Sequence, residues 1–159
     1  MESLNLTKCT KAIAAKGWNI AFIESATAGR MCSEFSLTSE SGKILRGGIC
    51  CYEIFVKEQI LKVPHQIITD YTAESAQATQ KLAQNGSHIF NSDITVACTG
   101  LTTAGGSETE DKPVGTMFLH IITPKGVMSH SEVYQGNAAE IVLQTIQKTA
   151  DLIYLLIEK

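Results

Sequence analysis

Apolar side chains recur at helical spacing near the start of the chain (Leu6, Cys9, Ile13), and Gly17 stands where a helix over 4–16 would end. WNIAFIE (18–24) then reads as a buried strand, followed by the small-residue turn SATAG, a short helix in RMCSEFSL and a polar break at TSESGK. LRGGICCYEIF predicts a strand through Ile49 to about Glu53, preceded by two glycines, and VKEQILKVP a helical or turn segment stopped by Pro64. Asp70 or Thr72 is placed to cap a long helix through Ala83, with Asn85 and Gly86 as its stop. DITVACTG (93–100) is a second clear strand, and 101–113 is a long polar excursion of a kind that is usually functional or mobile. VGTMFLHII and GVMSHSEVY, joined by TPK, form a hairpin pattern. Asn137 and Glu140 make a capping-box spacing ahead of a helix whose apolar face runs through Ile141, Leu143, Ile146, Ile153 and Ile157. Strands separated by helices, then a hairpin, imply an α/β domain: a mixed β-sheet with helices on its faces.

Composition narrows the partners. A chain of 159 residues, 44% hydrophobic and 18% charged, suits one domain spanning residues 1–159. Such a chain buries roughly 70% of its unfolded surface and needs no covalent staple. The net charge of -3, with no basic run, speaks against nucleic acid. Five cysteines form an odd set without a CxxC pair and read as reduced, buried and cytoplasmic. His65, His88, His120 and His130 are isolated, so neither a metal site nor a cofactor is called for. No stretch reaches 18 apolar residues, and MESLNLTKCTKAIAAKG is amphipathic and broken by charge, so no membrane span or signal peptide is expected.

Three segments hold the candidate chemistry: ESATAGR, RGGICCYEIFVK and TGLTTAGGSETEDKPVGT. The first and third each follow a strand, where backbone N–H groups can converge on one crevice. The first carries Ser25, and the second Tyr52 and Lys57. A serine needs a base, and a desolvated lysine can serve where histidine is absent. Residues five apart lie on opposite faces of a strand, so Tyr52 and Lys57 can share a site only if the chain leaves the strand between them.

In order, these segments resemble the ESCTGG, RGGxVxYSNExKxxLLGVP and TGIAGPGGGTPEKPVGT signatures of the CinA C-terminal domain family, over nearly the whole chain. Members of that family are known as nicotinamide mononucleotide deamidases. The resemblance implies a three-layer α/β fold with helices on both faces, usually dimeric. It also implies hydrolysis of the nicotinamide carboxamide to a carboxylate and ammonia, through an acyl-enzyme and without metal. It assigns Ser25 as nucleophile, Lys57 as general base and Tyr52 as proton shuttle. Glu24, Thr27, Gly29, Arg46, Gly47, Gly48, Thr99, Gly100 and Lys112 fall on motif positions expected to bind a nucleotide substrate. Ser25 would thus sit at a strand end in order to meet the N–H groups of a helix end.

The departures are specific. Ala26 and Ala28 replace a Cys and a Gly of the first motif, and Glu53 and Ile54 replace polar residues of the second. The third lacks its proline and is one residue longer before Lys112. The family's GDRxxVR reads GNAAEIV here, without either arginine. If those arginines hold the phosphate, the missing contacts are worth about 1.5 to 3 kcal/mol each. This leaves two readings, a nicotinamide mononucleotide amidohydrolase and a catalytically weak paralogue that binds a nucleotide or protein partner.

Overall fold

The computed structural model describes residues 4–159. Helix α1 (Leu4–Ala15) ends as its spacing predicts, with Gly17 at φ +68°, and leads into strand β1 (Ile20–Glu24). Helices α2 (Arg30–Ser36) and α3 (Ser41–Ile44) follow, and β2 (Leu45–Cys50) pairs parallel to β1. The expected polar break therefore contains a short helix. The second strand also stops three residues early: the Cys51 N–H makes the last bond to β1, donating to Glu24 O at 2.8 Å, and the chain then turns away. A π-helical turn (Val56–Ile60) and helix α4 (His65–Tyr71) come next.

The long helix is corrected at both ends. Helix α5 runs Ala76–Phe90 and is capped by Ser75, whose hydroxyl accepts from the Ala78 N–H, so neither Asp70 nor Thr72 is the cap. Asn85 and Gly86 lie inside it. Asn85 donates from Nδ2 to the Leu61 carbonyl at 2.7 Å, and a Cβ on Gly86 would come within 2.6 Å of Ile23 Cδ1. Gly86 is thus a packing glycine that lets α5 lie against the sheet.

Strand β3 (Ile94–Gly100) pairs parallel to β1, and β4 (Thr116–Thr123) and β5 (Gly126–Val133) form the expected hairpin, giving the order β2-β1-β3-β4-β5. Helix α6 (Ala138–Glu158) begins with the Asn137–Glu140 capping box. One apolar cluster joins Ile20 and Phe22 to Cys9 and Ile13 of α1, Met31 and Phe35 of α2, and Ile146 and Ile153 of α6. The other joins Ile23 and Ala97 to Leu82 and Ala83 of α5 on the opposite face. The fold is therefore a mixed α/β sheet between two helical layers. Cys9, Cys51 and Cys98 are buried as expected, whereas Cys50 is exposed and Cys32 half-buried; all five are free.

This order positions a site. From interior strand β1 the chain crosses to edge strand β2 over the α2 face, and from β2 it returns past β1 to β3 over the α5 face. The parallel pairing ends in register at Glu24, Cys50 and Cys98, on the carboxyl side of the strands, and a crevice at such a switch point is where open α/β sheets bind ligands.

Candidate active site

Ser25 is the first residue beyond β1, held by its N–H donating to Cys98 O at 2.9 Å. Lys57 arrives from the other side. After Cys51 the chain leaves the strand and the π-helical turn swings the lysine inward, resolving the facing problem that the spacing poses. Its Nζ lies 2.9 Å from Ser25 Oγ, 2.5 Å from Cys51 O and 3.1 Å from Tyr52 O. The side chain is buried, and burial pushes the amine below the ordinary lysine range, only partly opposed by Cys51 and the Glu74 carboxylate. Ile54 and Phe55 stand exposed, so they do not supply that burial.

The geometry suits a neutral amine. Two N–H bonds can remain on the two carbonyls while the nitrogen lone pair faces the serine, whose O–H then donates to it. Ser25, Ala26, Tyr52, Glu74 and Gly100 through Gly106 line a cavity of about 250 Å³ above this pair. The Ala26 N–H makes no hydrogen bond among the described residues, and Ala26 lines the same cavity directly after the serine, the position from which a backbone donor can meet a developing oxyanion.

Several expected site residues do other work. Tyr52 lines the cavity, but its side chain is 67% exposed and its hydroxyl bonds to neither Ser25 nor Lys57; only its carbonyl touches the lysine. The expected relay is not in place. Glu24 is buried beneath the turn rather than in the cavity. It accepts from Thr27 Oγ1 at 2.6 Å and from the N–H groups of Gly29, Met31 and Cys32 at 3.1, 2.9 and 2.7 Å. Glu24, Thr27 and Gly29 thus brace the turn that presents Ser25. The N-terminal N–H groups of α2, expected to face a ligand, are filled by Glu24.

Arg46 lies at the opposite end of β2, with Nε donating to Asn19 Oδ1 at 3.2 Å. Gly47 and Gly48 serve the same strand: a Cβ at Gly48 would approach Phe22 O to 3.0 Å, whereas Gly47 is held at φ +134°, a backbone conformation that favours glycine. Thr99 is buried, bonded to Thr79 Oγ1 at 2.8 Å. Gly100 does line the cavity, and a Cβ there would crowd the Met117 sulfur and Thr116 O. Lys112 pins the 101–113 loop from outside, its Nζ reaching Thr72 Oγ1 at 2.7 Å, Ser107 Oγ at 3.0 Å and Glu74 O at 3.1 Å.

Glu74 and the Ala26 N–H are the groups that the sequence reading missed. Nothing in TAES separates Glu74 from a solvated loop acid until α4 and α5 fold back beside the crevice. Ala26 could have been found as the N–H following a strand-end nucleophile.

The model of the CinA C-terminal domain matches residues 3–157. The chain belongs to that family. It is 36% identical over 80% of its length to a protein of Geobacillus sp. (strain WCH70) named as competence-damage inducible, and 31% identical over 86% to a CinA-like protein of Fervidobacterium nodosum. It covers only 29% and 32% of those two relatives, about a third of their length. Among solved structures, a CinA superfamily protein from Klebsiella pneumoniae superposes with a TM-score of 0.90 at 19% identity, over 97% of this chain and 96% of that one. The competence/damage inducible protein CihA from Agrobacterium tumefaciens gives 0.88 at 23%, over 98% of each. At these identities the likeness establishes the CinA fold. No helix among the described residues is long and apolar enough to cross a membrane.

Proposed function

We propose that this CinA-family chain is an amidohydrolase that hydrolyses the carboxamide of a nicotinamide derivative, the reaction its resemblance assigns to nicotinamide mononucleotide. The buried Lys57 Nζ at 2.9 Å from Ser25 Oγ carries the proposal. Lysine takes the serine proton as Oγ attacks the carbonyl carbon, and the Ala26 N–H meets the oxyanion. The C–N bond then breaks as Lys57 returns the proton to the departing nitrogen, releasing ammonia. Water, deprotonated by the same amine, attacks the acyl-serine ester; its C–O bond breaks as Lys57 returns that proton to Ser25 Oγ, and the released acid ionises to the carboxylate as ammonia takes up its proton. Lys57 handles each proton transfer at the serine, and the resemblance implies that the reaction proceeds without metal. The resemblance also implies a homodimer, which light scattering tests.

Ammonia release from nicotinamide mononucleotide, nicotinamide riboside and nicotinamide tests the proposal. Release that Ser25→Ala abolishes supports it, and no release from any of them overturns it. The second reading, a binding paralogue, rests on the arginine-free GNAAEIV segment and takes over in the latter case.

A further inference from the structure

The basic side chains near the cavity are already engaged. Lys57 Nζ is committed to Ser25 Oγ and two carbonyls, and Lys112 Nζ to Thr72, Ser107 and the Glu74 carbonyl. Arg46 is at the far end of the sheet, and Arg30 is paired with Glu34 at 2.6 Å. The cavity wall does contain a backbone seat for an anion. Gly105, at φ +93°, and Gly106 present successive N–H groups to one acceptor as phosphate-binding nests do. That seat is filled from within the chain: both N–H groups donate to the Glu108 carboxylate, at 2.6 and 2.7 Å.

What the cavity offers instead is negative charge and an aromatic side chain at its wall. Glu74 and Tyr52 line it together with Ser25. One Glu74 oxygen accepts from Ser107 Oγ at 2.5 Å, and the other has no partner among the described residues. A carboxylate beside an aromatic ring suits a flat cation.

We propose that Glu74 is a specificity-determining residue that favours a positively charged amide without a phosphate, such as an N-substituted pyridinium carboxamide. This rests on the amide-hydrolysis reading and names its substrate class.

The experiment measures kcat/KM for ammonia release from 1-methylnicotinamide, nicotinamide, nicotinamide riboside and nicotinamide mononucleotide, by wild type and by Glu74→Gln, which keeps an oxygen for Ser107. Wild type is expected to favour the riboside over the mononucleotide by about tenfold or more, and the 1-methylnicotinamide to nicotinamide ratio to fall about tenfold in Glu74→Gln. N-alkylation itself makes the carbonyl more electrophilic, and that effect cancels when the ratio is compared between the two proteins. An equal loss on both amides marks a structural role and overturns the proposal, as does preference for the mononucleotide. If no amide releases ammonia, the hydrolase reading fails and calorimetry decides the inference separately. Tighter binding of 1-methylnicotinamide than of nicotinamide, removed by Glu74→Gln, supports it; equal binding overturns it.

Discussion

Glu24 shows how much of the nucleophile's placement depends on a side chain that never meets the cavity. Its buried carboxylate collects three backbone N–H groups and the Thr27 hydroxyl, so Glu24→Ala leaves those donors unpaired. We expect a loss of at least about 3 kcal/mol in urea unfolding, since one unpaired buried donor already costs about 1–3 kcal/mol. A loss below 1 kcal/mol would mean that water replaces the carboxylate. Tyr52 is the converse case. Its hydroxyl has no hydrogen-bond partner among the described residues, so Tyr52→Phe is expected to keep turnover within about threefold of wild type, against the hundredfold or more that loss of a proton-transfer group brings. Ser25 and Lys57 were legible in the sequence because their residue types stand at strand-end and post-strand positions inside ordered motifs. The roles of Glu24, Thr27 and Lys112 were not, because a motif marks a position without saying whether its side chain faces the ligand or the scaffold.

At the scale of elements, α5 sets two rules against each other. Helix propensity says that Gly86→Ala should stabilise by roughly 1 kcal/mol. Packing says the opposite, because the new methyl would be driven into Ile23 of β1. Packing should win, with a net cost of about 1–3 kcal/mol in denaturation, the usual scale of overpacking. The same glycine explains why the helix runs past its expected stop: a Gly near the end of a periodic pattern looks like a C-cap until the strand beneath it is known.

The π-helical turn carries a pH signature. Burial lowers the Lys57 pKa in the folded state, so the unfolded chain binds more protons between that value and the ordinary lysine value of about 10.4, and stability rises with pH across that window. Lys57→Met lacks the group. The stability difference between the two proteins should therefore shift toward wild type as pH approaches about 10, followed by urea unfolding at several pH values. A difference that stays constant with pH would show an undisturbed amine.

For the whole molecule, the alternation of strands and helices made the layers legible, and the hairpin made the sheet mixed. The order β2-β1-β3-β4-β5 was not legible, since no local pattern says that β1 lies between β2 and β3. That order brings Ser25, Lys57, Glu74 and the 100–106 loop to one crevice from four separate stretches of chain. It also carries Arg46 to the opposite end of the sheet, although the RGG motif had grouped it with Tyr52 and Lys57. The central claim is that the crevice holds a serine nucleophile with a lysine base. The most direct test is ammonia release by Lys57→Arg, whose guanidinium keeps the positive charge but stays protonated and so cannot act as base. Turnover on the amide that wild type hydrolyses fastest should fall by at least about a hundredfold with the fold intact by circular dichroism. Release at near-wild-type rate from that variant would contradict the claim.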